Sequence, residues 1–311
     1  MSAKIGIVGA GLIGRAWAIV FARSGMAVSL YDVDASALDH ALDAIRQSLE
    51  DLHQVGLIED VDAPLSCIFP ESDLALAMAD IEYVQECGPE NREAKRRIYT
   101  DLETVVASNT VLASSTSGIA ASEFTDHLRH PERCLVAHPV NPPYLIPLVE
   151  VVPTPATSEA AVKRTMLLME QARQVPILVR KEIQGFILNR LQGALLNEAL
   201  RLFRDGYVSA EDIDKTVKHG LGLRWSFMGP FETIDLNAPA GVTDYGHRYG
   251  PLYFDVDRQR GDDDPWDTMT LAALDQERRE QLPFSDLGER QAWRDRRLMA
   301  LISHQRNIDP S

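Results

Sequence analysis

The sequence predicts an α/β protein in which a mainly parallel, doubly wound sheet is followed by an all-α domain. Short apolar runs alternate with helical patterns as far as residue 179, and a glycine-rich turn joins the first run to the first helix. After Gly185 the apolar residues recur at helical spacing instead. Because domains usually contain about 100 to 200 residues, the 311 residues predict two domains, over 1–183 and 184–311.

The first elements form a βαβ unit, with strand "KIGIVGA", helix "RAWAIVFARSG" and strand "AVSLYD". Short apolar runs predict further strands at 81–87, 110–116, 134–140, 148–153 and 175–179. Helical patterns occupy 91–106 and 159–172. Strands that alternate with helices imply a sheet covered by helices on both faces. In the second domain, helices are predicted over 186–206, from the capping box of Ser209 and Asp212 onward, and over 289–305.

The composition restricts the possible partners. With 46 acidic and 31 basic residues the net charge is -15, which argues against nucleic acid or an anionic membrane surface as the main partner. No window holds 18 uninterrupted apolar residues, so we expect no transmembrane helix. Cys67, Cys87 and Cys134 have neither a disulfide pattern nor metal-ligand spacing. We expect three small buried hydrophobic residues, no metal site and a reducing cytoplasm as the compartment.

The turn "GAGLIG" between the first strand and helix matches the pattern G-x-G-x-x-G. Gly9, Gly11 and Gly14 permit a tight turn and a close backbone approach to a pyrophosphate, with Leu12 and Ile13 between the last two glycines. The pyrophosphate charge then lies at a helix N-terminus. These five residues are therefore predicted to bind a dinucleotide in a Rossmann-type domain.

An acidic residue is expected about 20 residues after this turn, at the end of the second strand. Asp32 in "SLYDVD" meets this requirement, and its carboxylate would accept hydrogen bonds from the ribose hydroxyls and repel a 2′-phosphate. The prediction is therefore NAD rather than NADP. Asp34 is a competing candidate, and a helix-capping role is the alternative for both residues.

Three motifs, at residues 113–118 ("ASSTSG"), 137–152 ("AHPVNPPYLIPLVEVV") and 185–191 ("GFILNRL"), resemble those of the 3-hydroxyacyl-CoA dehydrogenase superfamily. The chain is more similar to the λ-crystallin branch, the L-gulonate 3-dehydrogenases, which oxidise free hydroxy acids. The resemblance extends from the glycine turn to "AWRDRRL" in the last helix. It implies a Rossmann domain followed by an all-α domain that dimerises.

The resemblance assigns His138 as the catalytic base, Glu150 as its partner, and Ser117 and Asn189 as polar groups at the reacting centre. Oxidation of an alcohol by NAD requires a neutral base with a pKa near 7, and a carboxylate on the other ring nitrogen fixes the tautomer. Ser117 and Asn189 can donate to the substrate oxygen. Taken singly, His138 could be a packed structural residue, Ser117 a turn cap and Asn189 a solvent-facing side chain.

Glu90 and Lys95 in "GPENREAK" resemble the family's acidic and basic residues near the nicotinamide ribose. They are therefore predicted to contact the cofactor. The alternative is an acid at a helix N-terminus together with a surface lysine.

The stretch "GLGLRWSFMGPFE", residues 220–232, bears on the substrate. The resemblance implies a shorter stretch without the arginine in the CoA-ester enzymes, whereas Arg224 fits the λ-crystallin pattern. A guanidinium suits bidentate binding of a free carboxylate, which a thioester lacks. Arg224 is therefore predicted to bind the substrate carboxylate, with Pro230 and Asn237 shaping the pocket. A surface arginine paired with an acid is the alternative.

The resulting hypothesis is an NAD-dependent oxidation of a small free L-3-hydroxycarboxylic acid, such as L-gulonate, to its 3-keto acid. The alternatives are a short-chain L-3-hydroxyacyl-CoA dehydrogenase, a carnitine dehydrogenase, and a non-catalytic NAD-binding protein that acts as a crystallin or a sensor. The intact set of Ser117, His138, Glu150 and Asn189 argues against a non-catalytic role. The resemblance also implies a homodimer through the C-terminal domain.

Overall fold

The computed structural model describes residues 3–259 and 264–308. The chain divides into two compact units. The first extends from the N-terminus to Arg190 and includes the C-terminal segment from Gln291, and the second is Leu191–Arg290. None of the helices within the described ranges combines the length and apolar composition needed to cross a bilayer.

The first unit is built on a mostly parallel sheet, which confirms the predicted fold class. Its strands are β1 (Lys4–Val8), β2 (Ala27–Tyr31), β3 (Ile68–Glu71), β4 (Tyr83–Glu86), β5 (Val111–Ser114), β6 (Cys134–Pro139), β7 (Leu148–Pro153) and β8 (Val175–Leu178). In the described residues they form one sheet in the order β3-β2-β1-β4-β5-β6-β7-β8, and only the β6–β7 pair is antiparallel. β4, β5 and β6 are buried throughout, as expected for strands covered on both faces.

The helices that accompany these strands are α1 (Leu12–Ala22), α2 (Ala35–Gln54), α3 (Asp62–Leu65), α4 (Leu74–Ala77), α5 (Arg92–Val105), α6 (Ser122–Thr125) and α7 (Glu159–Gln171). A 3₁₀ turn, Pro131–Arg133, precedes β6. The apolar run of α1 explains its place against the sheet, because every residue from Ala16 to Ala22 is buried. Trp17 stacks on Phe21, and its indole N–H donates to Ser115 Oγ, which ties the helix to the end of β5.

The second unit is helical. It contains most of α8 (Leu188–Arg204), then α9 (Ala210–Thr216), α10 (Gly222–Trp225), α11 (Pro230–Leu236), α12 (Gly241–Arg258) and α13 (Thr268–Gln281). A π-helical segment, Val217–Leu221, joins α9 to α10, and a 3₁₀ turn, Phe284–Asp286, follows α13. The amide of Asp212 donates to Ser209 Oγ, as the predicted capping box requires.

The last helix, α14 (Leu287–Ile308), extends into the first unit. Met299 is buried in the main core of that unit, and Leu298 and Ile302 pack against the same core. Arg294 and Asp295 also line a pocket of ≈ 230 Å³ together with side chains of α1 and α2. The second unit therefore ends at Arg290, within the first turn of α14, and the domain bounds 1–183 and 184–311 stay a prediction.

Candidate active site

The glycine turn after β1 has the geometry that a dinucleotide site requires. Gly9 has φ +105°, in the region that favours glycine, and a Cβ on Gly14 would lie 1.8 Å from the Gly9 carbonyl oxygen. A Cβ on Gly11 would meet nothing within 4 Å. The turn thus leaves open space beside the N-terminus of α1, where Leu12 is 59% exposed and Ile13 half-buried. This space fits an approaching pyrophosphate.

Asp32 follows directly after β2 and contacts the same turn. One oxygen, Oδ2, accepts from the Ala10 amide at 2.8 Å, and Oδ1 accepts from the Asp34 amide at 3.1 Å. Asp34 instead caps α2 by accepting from the Ser36 amide. The helix-capping alternative therefore applies to Asp34, and Asp32 remains the candidate for the ribose hydroxyls.

His138 and Glu150 lie directly opposite each other in the antiparallel β6–β7 pair. Nδ1 of His138 is 2.8 Å from Oε2 of Glu150, and both side chains are buried. A connection that includes a cis Asn141–Pro142 bond returns the chain so that residues twelve apart in sequence meet. The register of the β6–β7 pair fixes this pairing.

The second oxygen of Glu150 receives two backbone hydrogen bonds. Oε1 accepts from the amides of Ile187 at 2.8 Å and Leu188 at 3.0 Å. Burial alone raises the pKa of this carboxyl, but the hydrogen bonds from His138, Leu188 and Ile187 outweigh burial and hold the pKa below its ordinary value. An ionised carboxylate only accepts, so Nδ1 of a neutral His138 carries the proton. The lone pair is then on Nε2.

A hydrogen bond joins the side chain of Asn189 to the backbone of Ser117. The Asn189 side-chain amide donates to the Ser117 carbonyl oxygen at 2.8 Å. Glu90 Oε1 accepts from the Ser117 amide at 2.9 Å and from Thr116 Oγ1 at 2.6 Å. Since Asn189 follows Leu188, one hydrogen-bonded path connects the His138–Glu150 pair to the turn that contains Ser117.

Lys95 is only 1% exposed, so the alternative of a surface lysine does not describe it. Its Nζ lies 3.0 Å and 2.9 Å from the two oxygens of Glu86 and 3.6 Å from Glu90. Glu86 also accepts from the Gly88 amide and the Ser114 hydroxyl. This buried pair holds the end of β4 against α5. The cofactor contacts assigned to Glu90 and Lys95 stay predictions.

Three residues of this first-unit arrangement are not identified from the sequence. Glu86 could have been found, because a carboxylate inside the apolar run "IEYVQEC" needs a buried partner. Thr116 lies in the motif at 113–118, but no pattern distinguishes it from its neighbours. Phe186, whose ring centroid is 5.4 Å from that of His138, is part of a helical pattern in the sequence.

Arg224 belongs to the second unit. It is half-buried on α10, directly after the π-helical segment, and π-helical turns often occur at functional sites. Pro230 is the first residue of α11, and Asn237 follows its last residue. The substrate contacts assigned to these three residues remain predictions.

A Rossmann-type sheet with a dinucleotide turn and a hydrogen-bonded His–Glu pair defines the class of the protein, an NAD-dependent oxidoreductase. The comparison with known families agrees with this class. Residues 4–183 match the 3-hydroxyacyl-CoA dehydrogenase NAD binding domain, and residues 185–278 match the C-terminal domain of the same enzymes. The chain therefore belongs to the 3-hydroxyacyl-CoA dehydrogenase family, and its cofactor is NAD.

Individual relatives cover nearly the whole chain. The chain is 41% identical to the lambda-crystallin of Oryctolagus cuniculus over 309 residues, which cover 98% of this chain and 97% of that protein. It is 38% identical to an L-carnitine dehydrogenase of Oceanobacillus iheyensis over 80% of each chain. Among solved structures, an NAD⁺-dependent 5-formyl-3-hydroxy-2-methylpyridine 4-carboxylic acid 5-dehydrogenase superposes with a TM-score of 0.82 at 27% identity, covering 98% of both chains.

Proposed function

We propose that the protein oxidises the 3-hydroxyl of a small free L-3-hydroxycarboxylic acid, such as L-gulonate, to the 3-keto acid with NAD as the acceptor. The observation that carries the proposal is the His138–Glu150 pair. Its ionised carboxylate holds the proton on Nδ1 and leaves a lone pair on Nε2. A neutral imidazole oriented in this way is suited to accept the proton of an alcohol.

Each residue of the first-unit site then has a defined task. NAD, when bound, supplies the acceptor for the hydride that leaves the carbinol carbon. Nε2 of His138 takes the hydroxyl proton, and Glu150 stabilises the resulting imidazolium. The Asn189 amide has two hydrogens, of which one is donated to the Ser117 carbonyl, so the other remains for the substrate oxygen. The exposed hydroxyl of Ser117 is the second donor to that oxygen.

Arg224 supports a free acid rather than a thioester. A half-buried guanidinium next to a π-helical segment is suited to bidentate binding of a carboxylate. The names of two relatives support the same choice, because L-carnitine and the pyridine 4-carboxylic acid both carry a free carboxylate. Short-chain 3-hydroxyacyl-CoA and L-carnitine are the competing substrates, and a crystallin-like or sensor role without turnover is the competing class.

A substrate panel distinguishes these possibilities. NADH formation is measured with L-gulonate, L-3-hydroxybutyrate, L-carnitine and 3-hydroxybutyryl-CoA. We expect turnover of the free acids, with Arg224→Lys raising KM for them and leaving KM for NAD unchanged. Arg258→Lys, an exposed arginine on α12, is the matched control. Strong activity on the thioester alone contradicts the free-acid proposal, and strong activity on L-carnitine alone favours the carnitine alternative. No turnover of any compound favours the structural or sensor role.

The second unit supports dimerisation. In this unit, helix α8 exposes the apolar residues Leu191, Leu195 and Leu202, and Phe231 on α11 is 80% exposed. Apolar surface of this kind usually marks an interface. The proposed assembly is therefore a homodimer through the second unit, and a monomeric mass in sedimentation would contradict it. The three free cysteines fit a cytoplasmic enzyme, which cell fractionation can test.

A further inference from the structure

The chain adopts an unusual backbone conformation immediately before α8. Gly185 has φ +76° and Phe186 has φ +50°, so two consecutive residues lie in the left-handed region. Glycine adopts this region freely, whereas for a bulky residue it costs roughly 1 to 3 kcal/mol. A glycine at position 186 would avoid this cost. The presence of phenylalanine therefore requires a benefit from its side chain.

The backbone of this pair directs the next two amides at one atom. Directly after the left-handed pair, the N–H groups of Ile187 and Leu188 both donate to Oε1 of Glu150. Consecutive amides that converge in this way form an anion-binding concavity. The unusual conformation thus provides the hydrogen bonds that keep the buried Glu150 charged.

The side chain of Phe186 acts on the other member of the pair. Its ring is 1% exposed and packs in the core cluster that includes Val136 of β6 and Val152 of β7. The ring centroid is 5.4 Å from that of His138, with an angle of 51° between the planes. An aromatic side wall in this position limits rotation of the imidazole and keeps water away from the His138–Glu150 hydrogen bond.

We infer that Phe186 is a positioning residue of the dehydrogenase site, which holds His138 in one tautomer and one orientation through its ring and orients Glu150 through its backbone. The inference rests on the proposed function for its effect on turnover. Its effect on the imidazole can be measured without any substrate. The role of the ring and the role of the backbone can be tested separately, because glycine at position 186 keeps the left-handed backbone but removes the ring.

The test uses Phe186→Gly, Phe186→Ala and Phe186→Leu, with Phe124→Leu as the control. Phe124 is equally buried in the same core cluster but packs edge-on against Tyr99. Nitrogen NMR of the NAD-bound protein reports the His138 tautomer. We expect one Nδ1-protonated form in the wild type and the control. In all three Phe186 variants we expect a mixture of tautomers, because none of them keeps the ring that excludes water from the His138–Glu150 hydrogen bond. The Leu variant keeps only the aliphatic bulk.

With the best acid of the panel, kcat should fall about 10- to 100-fold in the three variants, as expected for a misplaced base, while KM for NAD stays unchanged. Phe186→Gly should melt at a higher temperature than Phe186→Ala, because only glycine relieves the backbone. The control should lose thermal stability without losing kcat. A wild-type tautomer and kcat in Phe186→Gly or Phe186→Leu would overturn the inference. If the wild type oxidises none of the four compounds, the proposed function fails, while the NMR result still decides the role of Phe186.

Discussion

Replacing Glu150 by glutamine tests the proposed base with a change of only one functional group. The two amides of Ile187 and Leu188 need an acceptor, so the amide oxygen of the introduced glutamine should take the place of Oε1. Its NH₂ group then faces Nδ1 of His138, at the position where Oε2 now lies at 2.8 Å. A donor at this position requires Nδ1 to accept, which moves the imidazole proton to Nε2. The lone pair that takes the substrate proton is then lost.

The size of the effect follows from the cost of the opposite amide orientation. Turning the amide around would restore the active tautomer but leave the partly buried N–H groups of Ile187 and Leu188 without an acceptor. Each such loss costs roughly 1 to 3 kcal/mol, or about 2 to 6 kcal/mol for both. Since 1.4 kcal/mol corresponds to a factor of about ten, kcat should fall by about 30- to 10⁴-fold.

The assay is initial-rate NADH formation under saturating NAD, with Glu170→Gln as the control. Glu170 is an exposed residue of α7 and should give wild-type kcat. The KM for NAD should not change in either variant, because the glycine turn and Asp32 are untouched. A kcat for Glu150→Gln within a factor of about three of the wild type would refute the tautomer argument.

Three further predictions concern other parts of the same unit, and a fourth concerns pH. His138→Gln should keep NAD binding, measured by fluorescence titration, and lose about 10²- to 10⁴-fold in kcat. Asp32→Ala should raise KM for NAD and improve the use of NADP, because the carboxylate that repels a 2′-phosphate is gone. An unchanged preference for NAD over NADP in the variant would contradict the role of Asp32. Lys95→Met leaves Glu86 charged and buried without its partner, so the free energy of unfolding, measured by urea denaturation, should fall by about 3 to 5 kcal/mol. Adding Glu86→Gln should recover part of this loss. Because the pKa of Glu150 is lower in the folded state than its ordinary value of 4.5, the ionised carboxylate contributes its full stabilisation above pH 4.5. This stabilisation is lost as the pH falls through the lower pKa of the folded state. The difference in unfolding free energy between the wild type and Glu150→Gln should therefore shrink as the pH falls below 4.5.

Much of the sheet is predictable because its signals are local. β1, β2 and β4 to β8 each lie within an apolar run that the sequence shows, and the glycine turn fixes the first crossover. β3 is not predicted, because "IFPE" is four residues long, contains proline and forms a sheet edge. The twenty residues of α2 are not predicted either, although their buried positions Leu38, Ala41, Ile45, Leu49 and Leu52 follow a helical repeat.

The candidate site is predictable to the extent that motifs carry it. The motif at residues 137–152 predicts that His138 and Glu150 act as a pair, and the β6–β7 register places them opposite each other, as this pairing requires. The partners of Glu150 could not be predicted, because the amides of Ile187 and Leu188 come from a segment 37 and 38 residues away. Glu86 stands out as a carboxylate inside an apolar run, but no sequence pattern identifies Lys95, nine residues further on, as its partner. Such contacts depend on the tertiary fold and leave no local pattern.

The packing of α14 has a consequence for how the chain folds during synthesis. Because Met299 completes the core that β1 and α1 begin, the sheet unit is built from two separate parts of the chain with the whole helical unit between them. On the ribosome the first part emerges long before the second. The nascent sheet therefore exposes part of its apolar surface until the segment that contains Met299 has been translated.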